Sequence, residues 1–285
     1  MDTIKLFNLT AAIMAAITAP YSSTNASSPL TPRRLSHTGP YDPITTSSPL
    51  LANHTIYQPA NITAITKTAP ALVWGNNACN ATTSTDPYAA LNLELASWGM
   101  LILSCGSPAS AFSALAQHAG AEGAWQNVSK EVGVLGTSCS GVGLYSAAQH
   151  LGVLSLAVLD TDLGQGERES TEETGQAARN TTVPVFYFST SMSTGLVSLD
   201  APAGVRSDFN AVAKGVPSWF GVLPGADIGD MLNEGGAGKL GRATRFWAQW
   251  MVAGEQEGSG FFVDAEGAES EGWTVMRKGL DVLSS

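Results

Sequence analysis

The chain has 285 residues, of which 44% are hydrophobic and only 13% are charged, so it can bury a sizeable core in one large α/β domain or two small ones. Its formal net charge is −10. Binding to phosphates needs a basic face, so this charge balance excludes a nucleic-acid partner and suits a protein that meets neutral or apolar small molecules.

The N-terminus has the pattern of a secretory signal peptide. Lys5 precedes an apolar run over residues 6–19, which has the length of a signal-peptide core and is too short to span a bilayer. Small residues follow, and we expect cleavage between Ala19 and Ala26, which assigns residues 1–26 to the signal peptide. The alternative is a retained N-terminal helix. No second hydrophobic span and no lipid-anchor tail is visible, so we expect a secreted, extracellular protein without a membrane span.

Six sequons of the form Asn-x-Ser/Thr agree with export, and this number favours a glycoprotein. They begin at Asn25, Asn53, Asn61, Asn80, Asn127 and Asn180. Residues 27–52 are rich in Ser, Thr and Pro and have little apolar periodicity, which predicts a disordered or glycosylated lead-in. From residue 53 onward the composition is that of a globular domain.

The globular part alternates short apolar runs with segments of helical spacing. The runs predict strands at 55–57, 71–74, 100–103, 132–135, 153–159, 183–188 and 218–223, and the spacing predicts helices at 88–98, 109–118, 202–213 and 242–252 and another up to His150. Residues 164–180 are polar and indicate a surface excursion, and residues 224–241 form a glycine-rich stretch. This alternation predicts βαβ units and a mostly parallel sheet with helices on both faces. In such sheets, function gathers at the carboxyl ends of the strands.

One segment has the pattern of a nucleophile elbow, the strained strand-to-helix turn that exposes a catalytic serine. The run at 132–135 is followed by Gly-Thr-Ser-Cys-Ser-Gly at 136–141, and small and apolar residues then recur at helical spacing. The strained turn requires small residues two positions before and after the serine, and Gly136 and Ser140 meet that demand around Ser138. The alternative is a Gly/Ser turn that leads into a buried helix.

Three motifs in order resemble a known family. They are Ala-Leu-Val-Trp-Gly-Asn-Asn-Ala-Cys at 71–79, Leu-Ala-Ser-Trp-Gly at 95–99 and the elbow at 136–141. Together they resemble secreted α/β-hydrolase-fold proteins common in fungi, which are related to cutinases and polyester-hydrolase-like esterases. The resemblance runs from about His54 to Trp273 and implies an α/β-hydrolase domain over residues 53–285, with a sheet of about six strands. The family pattern has glycines where this chain has Asn77 and Ser140.

The resemblance also implies a catalytic triad for ester hydrolysis. A serine attacks the ester carbonyl, a histidine takes its proton, an acid orients the histidine, and backbone N–H groups stabilise the oxyanion. Ser138 matches the nucleophile, and the N–H of Cys139 matches one oxyanion donor. The turn at Asn76 and Asn77 would supply the other donor. Neither a metal nor a cofactor is implied.

The other two triad positions depart from the family pattern. Ala226 stands where the histidine is expected after the last strand, and Thr194 stands near the expected acid. The chain has four histidines, His37, His54, His118 and His150, and none of them follows that strand. Without an imidazole, Ser138 is a poor nucleophile near neutral pH. Asp227 or Asp230 could act as a substitute base only if burial raised its pKa.

Cys79, Cys105 and Cys139 each follow a predicted strand at the same sheet edge. Neighbouring strands lie ~4.8 Å apart, close to the Cα separation of a disulfide, so we predict a Cys79–Cys139 bond that ties the oxyanion turn to the elbow. The alternative is three free thiols.

Three functional hypotheses remain open from the sequence. The first is a hydrolase-family protein with a decayed triad or altered chemistry. The second is an active carboxylic-ester hydrolase that uses Ser138 with a substitute base, and the third is a non-catalytic secreted binding or interaction protein. In each case we expect a monomer whose ligand is small and ester-like or apolar.

Overall fold

The computed structural model describes residues 37–51, 54–65, 67–74, 88–104, 106–121, 125–137, 142–160, 172–191, 203–225 and 235–283. All of these residues belong to one compact unit of the chain. The sequence predictions that fall on the remaining residues therefore lie outside the described part.

The described residues form a nine-stranded mixed sheet in the order β1-β2-β4-β3-β5-β6-β7-β8-β9. The strands are β1 (Pro43–Thr46), β2 (Thr55–Pro59), β3 (Ala69–Trp74), β4 (Leu101–Ser104), β5 (Val128–Thr137), β6 (Val153–Asp160), β7 (Val185–Ser191), β8 (Ser218–Pro224) and β9 (Thr274–Lys278). Six central strands, β3 to β8, run parallel, whereas β1, β2 and β9 pair antiparallel at the two sides. This strand order confirms the predicted α/β-hydrolase fold.

Helices cover both faces of the sheet. They are α1 (Ala89–Ser97), α2 (Pro108–His118), α3 (Val142–Ala147), α4 (Glu172–Arg179), α5 (Ala203–Ala211), α6 (Gly238–Met251), α7 (Ser259–Val263) and α8 (Gly267–Ser270). Helices α1, α6, α7 and α8 contribute to the core on one face, and α2 to α5 contribute to the cores on the other. Short 3-10 turns at Pro49–Leu51, Ile62–Ala64, Gly235–Ala237, Gln256–Gly258 and Leu280–Leu283 complete the described elements.

Strand β7 shows why the central strands are nearly continuous in apolar residues. Phe186 and Phe188 point into the core beneath α6, whereas Val185 and Tyr187 point into the core beneath α3 and α5. All four side chains are fully buried. A parallel strand covered on both faces is apolar at successive positions, so the sequence reveals it as a run without alternation.

The end of the predicted lead-in joins the sheet. Residues 37–51 fall within the range predicted as disordered, yet β1 pairs along β2, and Leu51 is only 2% exposed. Glu94 on α1 fixes the approach to β1, since its carboxylate accepts the backbone N–H of Thr38 at 2.8 Å as well as the Thr38 hydroxyl. The partners of this segment are distant in sequence, so composition alone does not reveal them.

Helices α4 and α6 also differ from the sequence prediction. Helix α4 occupies part of the stretch predicted as a polar excursion, and its buried positions are the small residues Thr174, Gly175 and Ala178, which give no apolar periodicity. Helix α6 begins at Gly238, inside the glycine-rich stretch, directly after Ala237 at φ 56°. In both places packing against the sheet offsets a weak local preference for helix.

Candidate active site at the carboxyl edge of the sheet

The parallel strands end at one edge of the sheet, and the predicted catalytic residues follow these ends. Asn76, Asn77 and Cys79 follow β3, Ser138 and Cys139 follow β5, Thr194 follows β7, and Ala226, Asp227 and Asp230 follow β8. The topology therefore brings the strand ends that carry these positions to one edge. The residues themselves lie outside the described part of the chain, so their roles remain predictions, as does the Cys79–Cys139 disulfide.

The strand register sets how far each strand reaches toward this edge. Trp74, the last residue of β3, is level with Leu135, whereas β5 continues for two more residues to Thr137. On the other side, Thr137 is level with Leu159 of β6, and Asp160 is level with Ser189 of β7. Ser138 thus follows a strand that is paired with neighbours on both sides, which is the context that a nucleophile elbow requires.

Trp74 is anchored where β3 ends, immediately before the predicted oxyanion turn. Its indole Nε1 donates to Oδ1 of Asn92 at 3.2 Å, and its ring lies 4.7 Å from that of Tyr88. Asn92 is fully buried on α1. This contact is not apparent from the sequence, because Asn92 looks like an ordinary polar position of a helix.

A buried polar network holds the helix that follows the elbow. Tyr145 on α3 donates its hydroxyl hydrogen to Oδ2 of Asp208 on α5 at 3.0 Å, and its oxygen lies 3.1 Å from the hydroxyl of Tyr187 on β7. Burial, reinforced by Tyr187 and Asp208, raises the pKa of Tyr145 well above its ordinary value of 10.0, so it remains a donor. The network ties α3 to the sheet and to α5, and it is a feature that the sequence did not suggest.

Three of the four histidines lie away from the carboxyl edge. His150 precedes β6 and stacks on Phe112 at 4.3 Å. Val153 of β6 is level with Val132, and Thr137 at the end of β5 lies about 17 Å farther along that strand. His118 ends α2, beside Trp125, near the start of β5. His37 lies 3.8 Å from Asp42, next to the strand end where Pro43 pairs with Pro59. All three rings lie toward the amino ends of the parallel strands, away from Thr137, the described residue that precedes Ser138.

His54 is the histidine that lies at the carboxyl edge, because β2 runs antiparallel to β4 and starts there. Two contacts hold its ring. Nε2 donates to the carbonyl of Ser107 at 3.2 Å, and the ring packs so closely against Gly106 that a Cβ on that residue would lie 2.3 Å from it. Strands β4 and β3 lie between β2 and β5, so β2 and β5 are three strand spacings, or about 14 Å, apart. Burial lowers the pKa of His54, although the Ser107 carbonyl acts in the opposite direction. His54 is therefore a neutral structural side chain beside the site.

Neither a metal-binding cluster nor a membrane-spanning helix is found among the described residues. No cluster of three or more His, Cys, Asp and Glu side chains within them is arranged to hold a metal ion. Among the helices described, none combines the length and the apolar character needed to cross a membrane.

The chain is similar to known proteins in fold alone. Neither the protein-family models nor the curated protein sequences give a match. Among solved structures, it resembles a puromycin hydrolase, with 16% identity, a TM-score of 0.43, and coverage of 71% of this chain and 37% of that one. It also resembles an inhibited esterase B from Lactobacillus rhamnosis, with 15% identity, a TM-score of 0.41, and coverage of 76% and 82%.

An esterase from Pyrococcus furiosus is similar at 11% identity and a TM-score of 0.42, with coverage of 78% of this chain and 94% of that one. The chain thus spans less than half the length of the puromycin hydrolase but most of each esterase. Identities this low concern the fold alone, and the assignment of the fold rests on the strand order described above.

Proposed function

We propose that this chain is a secreted α/β-hydrolase-family protein, related to cutinase-like esterases, whose catalytic triad has decayed. The observation that carries the proposal is the placement of the four histidines. Three of them lie toward the opposite edge of the sheet, and the ring of His54 is fixed by Ser107 about three strand spacings from β5. No histidine follows β8, where Ala226 takes the expected position.

The missing base has a direct chemical consequence. In a serine hydrolase the imidazole takes the hydroxyl proton as the oxygen attacks the carbonyl, and it returns that proton to the leaving group. A serine hydroxyl without such a base is a weak nucleophile near neutral pH. Removal of a triad member lowers the rate by many orders of magnitude and leaves only the contributions of the oxyanion donors and substrate binding. We therefore infer that the site at the carboxyl edge binds a small ester-like or apolar molecule without efficient acyl transfer.

The test compares hydrolysis of p-nitrophenyl butyrate by the parent protein, Ser138→Ala and Ala226→His. We expect the parent and Ser138→Ala to be equally inactive above the buffer rate, with matching circular dichroism spectra and melting temperatures. Activity gained only in Ala226→His would place the lost histidine and support the proposal. Labelling of Ser138 by a fluorophosphonate gives an independent measure of its nucleophilicity, and we expect none in the parent.

One outcome would contradict the proposal. If the parent protein hydrolyses the ester and Ser138→Ala does not, a substitute base operates, and Asp227→Asn and Asp230→Asn identify which carboxylate serves. The protein would then be an active carboxylic-ester hydrolase. Tight ligand binding that is unaffected by Ser138→Ala, with no turnover in any variant, would instead indicate a binding protein.

A further inference from the structure

Three of the six sequons, at Asn61, Asn127 and Asn180, lie in the described part of the chain, and the structure uses their side chains differently. Export, as proposed above, would expose all of them to oligosaccharide transfer. Attachment forms a bond between Nδ2 of the asparagine and the anomeric carbon of the first sugar. It breaks the bond between that carbon and the diphosphate of a lipid-linked donor, and it releases one of the two Nδ2 protons. A glycosylated asparagine therefore keeps a single N–H.

Asn127 needs both of its side-chain protons. Its Nδ2 donates to the carbonyl of Thr63 at 3.2 Å and to the carbonyl of Ile65 at 3.0 Å. Its backbone carbonyl accepts the N–H of Ala69 at the start of β3. The half-buried Asn127 side chain thus clips the turn before β3 to the start of β5. A sugar on Nδ2 would remove one of these bonds and compete with the turn for its space.

The turn that Asn127 holds is packed into the core. Ile62 and Ile65 are only 4% and 7% exposed, and both belong to the core between β3, β4 and α2. A turn with two buried side chains cannot swing outward to admit a sugar without exposing them. A chain that is glycosylated at Asn127 before it folds would therefore have a less stable folded state. Such chains should be depleted among the folded, secreted molecules.

Asn61 presents the opposite arrangement on the same turn. Its side chain is exposed, and its Oδ1 accepts the hydroxyl hydrogen of Thr63 at 3.0 Å. The Nδ2 of Asn61 donates to no residue in the part of the chain that the structure describes. Loss of one Nδ2 proton therefore breaks none of the described contacts of this residue.

Asn180, at the end of α4, is also free to be modified. Its Oδ1 accepts Nε2 of Gln176 at 3.0 Å, and its Nδ2 has no partner among the described residues. Asn180 lines an open groove of about 740 Å³ between α3 and α4, which gives the first sugars room. The hydrogen bond to Oδ1 does not involve the atom that is glycosylated.

We propose that the folded, exported protein carries N-linked glycans at Asn61 and Asn180 and none at Asn127, whose amide is a structural clip. The proposal rests on export but not on the state of the catalytic triad. Ester hydrolysis by the parent protein would overturn the decayed-triad proposal and leave this one unaffected.

The first experiment maps the glycans on the full-length chain secreted from a yeast, once with its own N-terminus and once with the host's signal peptide. Peptide mass spectrometry after enzymatic deglycosylation in heavy-oxygen water reports the occupancy of each site. We expect high occupancy at Asn61 and Asn180 and essentially none at Asn127. A glycan on Asn127 in folded protein would contradict the structural role of its amide. Unoccupied Asn61 and Asn180 in protein secreted with the host's signal peptide would contradict the proposed glycosylation of these two sites.

Variants that remove a sequon but keep its asparagine provide matched controls. Thr63→Ala and Thr182→Ala should each reduce the mass of the secreted protein by one glycan, whereas Ser129→Ala should leave it unchanged. The Thr63 carbonyl that Asn127 uses is retained in Thr63→Ala. A glycan lost in Ser129→Ala would contradict the proposal.

The second experiment measures the clip without any glycan. In protein expressed in bacteria, Asn127→Asp removes both donors at nearly constant shape, and we expect the melting temperature to fall by at least about 3 °C. Asn61→Asp and Asn180→Asp should melt within about 1 °C of the parent, since exposed substitutions away from such contacts change stability little. Equal melting temperatures in all three variants would exclude the structural role of Asn127.

Discussion

Tyr145 of α3 and Asp208 of α5 are joined by a hydrogen bond of 3.0 Å in a region where both side chains are almost fully buried. Because α3 follows the predicted elbow in the sequence, this bond joins the helix after that segment to α5 in the helical layer that covers the sheet. Asp208 also takes part in further interactions, so the bond belongs to a network rather than to an isolated pair.

Replacing Tyr145 with Phe removes this donor and keeps the aromatic ring. We expect the free energy of unfolding to fall by about 1–3 kcal/mol, the usual cost of removing one partner of a buried hydrogen bond. Urea unfolding followed by tryptophan fluorescence measures the change. Tyr41→Phe is the control, since Tyr41 is 39% exposed and its substitution should change stability by less than about 0.5 kcal/mol. Equal stabilities of the two variants would show that the network contributes nothing.

Gly133 is required where β5 passes beneath α6. A Cβ at this position would come within 2.6 Å of Val252 and 2.8 Å of Leu72. We expect Gly133→Ala to destabilise the protein by about 1–3 kcal/mol through overpacking.

Gly143 provides the matched control for this substitution. It lies on α3, and a Cβ there meets no atom within 4 Å. Gly143→Ala should leave stability unchanged or raise it by up to about 1 kcal/mol, because alanine favours helix. Chemical unfolding of both variants measures the contrast, and a destabilised Gly143→Ala would contradict this account.

Asn92 should contribute to stability through Trp74. Asn92→Ala removes the acceptor of the buried indole N–H, and we expect a loss of about 1–3 kcal/mol in the free energy of unfolding. Gln117→Ala on α2 is the control, because the Gln117 amide contacts only the exposed Ser113 among the partners described. If Asn92→Ala unfolded at the same denaturant concentration as Gln117→Ala, the anchoring of Trp74 would not depend on this bond.

We expect the buried His54 to make the folded protein less stable in acid. Its pKa is lowered below 6.5 in the folded protein by burial, so on acidification the unfolded chain takes up the proton first. The stabilising contribution is fully present above pH 6.5 and is lost progressively as the pH falls through the folded-state pKa.

Melting temperatures recorded from pH 8 down to pH 4 test this expectation. His54→Gln should flatten the part of the profile that begins near pH 6.5. A parent-like slope in His54→Gln would assign the acid sensitivity to other groups.

The sequence by itself determined the central sheet and the order of its functional positions. The six parallel strands are buried on both faces, so each of them produces an apolar run bounded by turn residues that needs no partner to be recognised. The absence of a histidine after β8 is likewise a property of the sequence alone.

Only the tertiary structure decided the elements at the margins and the contacts between distant segments. Strand β9 is half-buried at every position, and β1 is exposed at its centre, so neither shows a clear apolar run, and both exist because β8 and β2 offer unpaired edges. The placement of His54 beside the site follows from the antiparallel direction of β2, and the role of Asn127 follows from the turn that it meets. Local periodicity reports which face of an element is buried, whereas the partner of a polar side chain depends on register between segments far apart in the chain.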